Sequence, residues 1–182
     1  MRVAHPQRGL DAAQVRDLVE AHYDDVFAYC RRRMRTADEA QDATQEVFLR
    51  FVRTADRYRD AGKPLAYLLT IARTVCADVG RAQSPPLADL PDDDVLGASC
   101  TSGQEGLDRD VGEADRQREL RRALAMLPKG MRDALELRFD QGLTFVEMGR
   151  VLGISRFAAR RRVDAALGAV REKLDVRGED WR

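Results

Sequence analysis

The sequence has little of what marks secreted, membrane-spanning or catalytic proteins. No apolar run approaches the roughly 18 residues that a membrane-spanning helix needs, and the N-terminal region holds no apolar signal core. We therefore expect a cytoplasmic chain without membrane insertion. Glycine and proline are sparse outside a few positions, while apolar residues make up 44% and charged residues 34% of the 182 residues. This composition is typical of a helix-rich protein.

Cysteine and histidine are scarce as well. Cys30, Cys76 and Cys100 are widely spaced and odd in number, so a disulfide framework is not expected. We interpret each as a small buried or incidental thiol, in preference to a redox or metal-binding group. His5 and His22 are the only histidines, and no C-x-x-C, Walker, G-x-S-x-G or H-E-x-x-H motif is present. We expect no enzyme activity, no metal and no cofactor.

Charge is balanced over the whole chain but segregated along it. Residues 1–83 carry a net charge of +2, residues 84–115 carry 9 acidic groups and 1 basic group, and residues 116–174 carry 14 basic and 7 acidic groups. The net charge of zero would argue against a polyanionic partner, whereas the basic C-terminal block predicts one.

Apolar residues recur at helical spacing from Ala12 to about residue 81. The pattern predicts a first helix from Ala12, a second over 38–53 and a third over 65–79 that stops at Gly80. The inward stripe of the second helix is predicted to be Ala40, Ala43, Val47 and Phe51.

Residues 84–115 interrupt this pattern. They open with Ser84-Pro85-Pro86, contain few apolar side chains and are too long for a plain loop within one domain. We interpret them as a flexible acidic linker between a domain over 12–83 and a domain over 116–174.

The second domain ends in a predicted helix-turn-helix. After helices ending near Leu127-Pro128 and spanning about 131–140, Thr144 and Glu147 match a capping box. Gly153 ends that helix and Ser155 caps a last helix. The predicted fold class is therefore all-α, with two small helical domains. The buried stripe of the last helix is predicted to be Ala159, Val163, Ala166, Leu167, Val170 and Leu174.

Four arginines crowd the first two turns of that last helix, namely Arg156, Arg160, Arg161 and Arg162. Cations near a helix N-terminus are unfavourable because the helix dipole is positive there. The cluster therefore predicts an anionic partner, and the major groove of DNA is the favoured one. A solvated basic face is the alternative.

Residues 38–50, DEAQDATQEVFLR, resemble the polymerase-binding helix of extracytoplasmic-function (ECF) RNA polymerase sigma factors, whose usual form is DAEDLVQEVFLR. Residues 67–73, YLLTIAR, look like the promoter −10 helix of that family, and residues 127–138 look like the entry to its −35 domain. The resemblance implies a protein that directs core RNA polymerase to promoter DNA, with an anti-sigma factor as a further partner.

The resemblance also implies roles for particular residues. The polymerase-binding residues would be Asp38, Asp42, Gln45, Glu46, Phe48 and Leu49. The −10 element would be read by Tyr58, Arg59, Lys63, Tyr67, Arg73 and Thr74, with Tyr58 as a stacking face for an unstacked base. The −35 element would be read by Ser155, Arg156, Phe157, Arg160 and Arg161. The acidic linker would thread the RNA exit path, with a merely solubilising linker as an equal alternative.

Three positions depart from the family pattern. Thr74 stands where the family often has Asn, which can bind adenine through two hydrogen bonds. The arginine run that usually ends the −10 helix is reduced to Arg81, and Phe157 replaces a small or polar residue. Phe157 would either contact a thymine methyl group or pack inward.

The residues alone leave two other functions open. A stand-alone helix-turn-helix regulator with an N-terminal sensor or partner-binding domain explains residues 116–174 equally well, but it leaves residues 45–49 and the linker unexplained. A helical adaptor that sequesters another protein would not need the arginine cluster.

Overall fold

Helices account for the regular structure of the described chain. The structure, a computed structural model, describes residues 9–58, 63–83 and 111–178. The predicted all-α class is confirmed. The chain divides into two units, residues 1–88 and residues 89–182. The helices are α1 (Ala12–Arg31), α2 (Ala37–Thr54), α3 (Pro64–Gln83), α4 (Val111–Ala125), α5 (Lys129–Leu135), α6 (Phe145–Leu152) and α7 (Arg156–Gly178).

Side-chain caps fix where several helices begin. The capping box predicted at Thr144 and Glu147 is present: the Thr144 hydroxyl accepts the N–H of Glu147 at 3.4 Å, and the Glu147 carboxylate accepts the N–H of Thr144 at 2.6 Å. The same arrangement opens α1 and α2. Each box satisfies backbone donors that a helix start leaves without partners.

The first unit is a three-helix arrangement in which α1, α2 and α3 all contact one another. The predicted inward stripe of α2 is buried at all four positions. It meets apolar faces of α1 and α3, so that the unit has one continuous core. The largest members of that core are Val26, Tyr29, Val47, Phe51, Leu68, Leu69 and Val75.

The second unit is built around α7, which α4, α5 and α6 all contact. Four positions of the predicted α7 stripe are buried, and Leu174 is half-buried. Leu167 is a correction because 45% of its surface is exposed. It follows buried Ala166 directly, and one residue turns about 100° around a helix. The other buried side chains of this unit include Ala134, Leu137, Met148 and Val151.

The end of α3 and the start of α4 differ from the prediction. α3 passes through Gly80 and ends at Gln83. A glycine within a helix costs only about 1 kcal/mol, and an ion pair of 2.6 Å between Arg81 and Asp78 supports this last turn. α4 begins at Val111, inside the stretch that we predicted to be linker. The earlier linker residues, with Cys100, lie outside the described residues.

Candidate functional site

The outer face of α2 presents acidic and polar side chains to solvent. Asp38, Asp42 and Gln45 are exposed, and Leu49 is 51% exposed. Val52, one turn after Leu49, is exposed to the same degree. Val52 was not among the predicted site residues, although its three-residue spacing from Leu49 indicates a shared face. We call Asp42, Gln45, Glu46 and Leu49 the α2 outer face. It suits a basic partner that also offers an apolar contact.

A chain of ion pairs holds Glu46 of this face and ties α2 to α3. Arg50 Nε donates to Glu46 Oε1 at 2.7 Å, and Arg50 Nη1 donates to Asp78 Oδ2 at 3.2 Å. Arg81 Nη2 donates to the other oxygen of Asp78 at 2.6 Å. The hydrogen bond to Glu46, followed by that to Asp78, raises the pKa of Arg50. The hydrogen bond from Arg50 lowers the pKa of Asp78.

Phe48 does not belong to the exposed face. It is 8% exposed, and its ring stacks on that of Tyr23 with centroids 5.9 Å apart. Since Tyr23 belongs to α1, this contact places the Phe48 ring against α1. Phe48, which the resemblance assigned to polymerase binding, therefore packs within the first unit and helps to position α2.

Tyr58 is likewise packed inside the first unit, and its ring is not exposed for a base to stack on. It is 8% exposed, its ring lies 4.9 Å from that of Tyr67, and it meets the edge of Phe51 at 5.8 Å. The Tyr67 hydroxyl lies 3.2 Å from the Thr54 hydroxyl. Aromatic rings bury a large apolar area when they pack together, so the expected stacking face of Tyr58 is used inside the unit.

The remaining candidate −10 residues lie on or before α3. Arg73 and Thr74 are adjacent and exposed, and Lys63 is half-buried directly before α3. The Thr74 hydroxyl donates to the Thr70 carbonyl at 3.2 Å, which uses its proton within the helix. Its oxygen can still accept from a base edge. Arg59 lies outside the described residues.

The turn between α6 and α7 is tightly built. Gly153 adopts a left-handed conformation with φ 70°, and the N–H of Ile154 donates to the Gly149 carbonyl at 2.9 Å. A Cβ on Gly149 would lie 2.8 Å from the Ile154 carbonyl oxygen. The Ser155 hydroxyl then accepts the N–H of Ala158 at 3.1 Å and starts α7. Glycines at these two places therefore set the angle at which α7 leaves α6.

The first turns of α7 carry an exposed basic surface. Arg156, Arg160 and Arg161 are exposed, and Arg160 Nε lies 3.7 Å from Asp164 Oδ2. Phe157 points outward and is 64% exposed, with the Arg156 guanidinium carbon 4.5 Å from its ring centroid. Of the two positions expected for Phe157, the structure has the outward one. Arg162 is half-buried, and its guanidinium lies close to Gly130 at the start of α5.

A π-helical turn over Glu136–Asp140 follows α5, where a plain helix was predicted. The Gln141 N–H donates five residues back to Glu136 at 3.0 Å. Arg138 then donates to the Leu143 carbonyl at 2.9 Å and lies 5.0 Å from the Phe145 ring centroid. These contacts hold the start of α6. Apolar spacing cannot distinguish a π-helical turn from the end of an α-helix, so the sequence held no signal for it.

Metal-binding and membrane-spanning features are both absent from the described part of the chain. In residues 9–58, 63–83 and 111–178, no group of three or more histidine, cysteine, aspartate or glutamate side chains is placed to hold a metal ion. Within the same ranges, every helix is too short or too polar to cross a membrane.

Comparison with known proteins identifies both units. Residues 18–85 match the family model of Sigma-70 region 2, and residues 123–172 match that of Sigma-70 region 4. The chain is 30% identical over 178 residues to the ECF RNA polymerase sigma factor SigD of Mycobacterium tuberculosis, covering 93% of this chain and 81% of that protein. It is 31% identical over 175 residues to the ECF RNA polymerase sigma factor ShbA of Streptomyces griseus, covering 88% of this chain and 87% of that protein.

Solved structures agree on the fold. The sigma factor RpoE, solved in complex with the anti-sigma factor NepR from Bartonella quintana, superposes with a TM-score of 0.62 at 19% identity and covers 88% of this chain and 96% of that chain. CnrH, solved in complex with the cytosolic domain of CnrY, gives a TM-score of 0.60 at 19% identity and covers 91% of this chain and 90% of that chain. With both regions matched in order and with relatives of this identity along nearly the whole chain, this protein belongs to the ECF RNA polymerase sigma factors.

Proposed function

We propose that this sigma factor directs core RNA polymerase to one class of promoter through three separate surfaces. The α2 outer face binds the polymerase, α3 and the segment before it read the −10 element, and the start of α7 reads the −35 element. The observation that carries the proposal is the exposed basic start of α7. Three arginines and Phe157 stand outward directly after a tightly capped turn, as a helix entering the major groove requires.

Polymerase binding is assigned to the α2 outer face because of its acidic charge and its apolar residue. Exposed Asp42 and Gln45 precede exposed Leu49 on this face, and Arg50 holds the half-buried Glu46 by a hydrogen bond of 2.7 Å. Val52 extends the apolar part of the surface by one turn. A basic helix with an apolar seam is the partner chemistry that such a surface selects.

The −10 element is assigned to Lys63, Arg73 and Thr74, with Arg59 retained as a proposed phosphate contact. Tyr67, also on α3, is half-buried. Its ring packs against that of Tyr58, with centroids 4.9 Å apart. Since Thr lacks the two-bond contact of Asn to adenine, we propose weaker discrimination at the upstream edge of the −10 element than relatives with Asn achieve.

The −35 element is assigned to Ser155, Arg156, Phe157, Arg160 and Arg161. Arginines can bind guanine edges or phosphates, and the exposed ring of Phe157 can contact a thymine methyl group. Arg156 beside the Phe157 ring gives one surface that combines both kinds of contact.

Regulation and location follow from the family. RpoE and CnrH were each solved with a protein partner, an anti-sigma factor in the case of RpoE. We propose that an anti-sigma factor also controls this chain. It acts in the cytoplasm with the polymerase, binds DNA and performs no catalysis of its own.

A binding titration with and without core polymerase tests the proposal against a stand-alone regulator. The promoter is first found by transcribing sheared genomic DNA with core polymerase plus this protein and mapping the RNA start points. We expect weak duplex binding by the protein alone at physiological salt, since one small helix-turn-helix makes few phosphate contacts. Core polymerase should raise the affinity strongly, because it fixes the spacing of both readers. Nanomolar, sequence-specific binding without polymerase would overturn the proposal.

A further inference from the structure

Two thiols of the first unit face each other between α1 and α3. Cys30 is fully buried on α1, and Cys76 is 8% exposed on α3. Their sulfur atoms lie 3.9 Å apart, although the residues are 46 positions apart in the chain. Sulfurs joined in a disulfide lie about 2.05 Å apart, so this distance describes two thiols in contact. The spacing of the cysteines in the sequence held no sign of this pair.

We propose that Cys30 and Cys76 form a site of reversible oxidation, at which a hydroperoxide closes a disulfide between α1 and α3 and lowers promoter use. The effect on promoter use rests on the proposed function, whereas the disulfide itself does not.

The chemistry balances with one peroxide for each pair of thiols. The Cys76 sulfur, the more accessible of the two, attacks a peroxide oxygen; the O–O bond breaks, and with hydrogen peroxide one water leaves. The Cys30 sulfur then attacks the resulting sulfenic acid. The S–S bond forms, the S–O bond breaks and a second water leaves. Two thiols are oxidised by two electrons, and both thiol protons end in water.

The packing around the pair couples the reaction to α3. The sulfurs must approach by about 1.9 Å to bond. Their neighbours along the helices, Tyr29 and Val75, are buried in the close-packed core. A side chain in such a core cannot move far without leaving its rotamer, so the helices must take up part of the movement.

The surface affected lies one turn away on α3. Arg73 and Thr74 precede Cys76 on the same helix and are exposed. A shift of α3 toward α1 therefore displaces the residues to which we assign the −10 element. Hydrogen bonds weaken when their distances and angles leave the preferred range. A small displacement of Arg73 and Thr74 therefore weakens the contacts that we propose they make with bases.

Mapping of the cross-link tests the site in the full-length chain. The Cys100→Ser variant removes the third thiol and keeps the pair, and Cys76→Ala removes the pair. After hydrogen peroxide and then alkylation, we expect both the wild type and Cys100→Ser to yield one peptide joining Cys30 to Cys76. In intact mass, Cys100→Ser should weigh two hydrogen atoms less than the untreated chain and carry no alkyl group, whereas the wild type should weigh two hydrogen atoms less and carry one alkyl group, on Cys100. Dithiothreitol should reverse both changes, and Cys76→Ala should show neither. Should Cys76→Ala fail to fold by circular dichroism, Cys30→Ala takes its place.

Two other outcomes of the peroxide treatment would contradict the proposed disulfide site. If the Cys100→Ser chain resists peroxide at a dose that oxidises Cys100 in the wild type, or if Cys76 advances to sulfinic acid, the pair is only a packing contact of the core.

Run-off transcription with core polymerase tests the effect of the disulfide on promoter use. Oxidised Cys100→Ser should give several-fold less transcript than the reduced chain, with recovery after dithiothreitol, and Cys76→Ala should be indifferent to peroxide. Equal transcription by the mapped disulfide form would overturn the effect on promoter use. A reduced chain that supports no transcription would instead contradict the proposed function, and the peptide map would still decide the disulfide.

Discussion

Arg50 on α2 reaches across to α3 and donates to the carboxylate of Asp78 at 3.2 Å. With its second bond to Glu46, it links the α2 outer face to the helix that we assign to the −10 element. Both carboxylates are partly exposed, so the contribution of these pairs to stability is modest.

Acid should weaken this link through Asp78. The hydrogen bond from Arg50 lowers the pKa of Asp78 in the folded chain. The stabilisation that this hydrogen bond provides is therefore fully present above the pKa of an unfolded Asp, ~3.9. It is lost as the pH falls through the lower pKa of Asp78 in the folded chain. The raised pKa of Arg50 leaves it charged throughout.

Urea unfolding between neutral and acid pH should show less acid destabilisation for Asp78→Asn than for the wild type. Asp24→Asn, on the exposed side of α1, is the control. Parallel pH profiles for Asp78→Asn and wild type would contradict this.

Polymerase binding should depend on charge at the α2 outer face. The double variant Asp42→Arg with Gln45→Arg leaves the Glu46–Arg50 pair in place and should abolish co-purification with core polymerase, because it reverses the sign of the surface. Helical content by circular dichroism should be unchanged, since both positions are exposed. Glu20→Gln with Asp24→Arg makes the same change in net charge on α1 and is the control. Wild-type polymerase yield with the α2 variant would show that this face is misassigned.

The basic start of α7 should supply promoter specificity. Arg160→Ala with Arg161→Ala should abolish −35-dependent transcription, at a cost of roughly 1–3 kcal/mol for each base that an arginine no longer binds. Arg171→Ala removes an exposed arginine farther along the same helix and should leave transcription near the wild-type level. Transcription is measured on promoters with and without the −35 element. An unchanged ratio between the two promoters in the double variant would refute the assignment.

Substitution of two aromatic residues should affect different properties: Tyr58→Ala stability, and Phe157→Ala promoter use. Tyr58→Ala should lower the free energy of unfolding by about 3–5 kcal/mol, because it empties a space in the core beside Phe51 and Tyr67. Phe157→Ala should change it by no more than about 0.5 kcal/mol, since the ring is exposed. Promoter use should nevertheless fall with Phe157→Ala. Chemical denaturation beside transcription separates the two effects, and a stable Tyr58→Ala chain with a specific −10 defect would restore Tyr58 as a base contact.

The turn between α6 and α7 should tolerate no side chain at Gly149. A Cβ there would lie 2.8 Å from the Ile154 backbone oxygen, so Gly149→Ala must displace the turn. We expect a loss of about 1–3 kcal/mol in stability and weaker −35 recognition. Gly168→Ala, in open space on α7, is the matched control and should stabilise by about 0.5–1 kcal/mol. Thermal unfolding of both variants decides the comparison, and equal melting temperatures would contradict the close approach.

Local interactions explain why much of the fold could be predicted. The capping box at Thr144 and Glu147 and the stop at Gly153 involve residues a few positions apart, so their physical causes are visible in the sequence. The α2 stripe was predicted for the same reason, since helical spacing alone places its members on one side. The motif over 38–50 likewise identified the family, which the comparisons confirmed.

Burial and contacts between helices were decided only by the tertiary structure. The family resemblance implied binding roles for Phe48 and Tyr58. Because aromatic rings serve both cores and interfaces, only the packing of the first unit shows that these two rings are inside. The pairing of Arg50 with Asp78 spans 28 positions and the contact of Cys30 with Cys76 spans 46. Neither follows from helical spacing, because the distance between residues on different helices depends on how the helices pack.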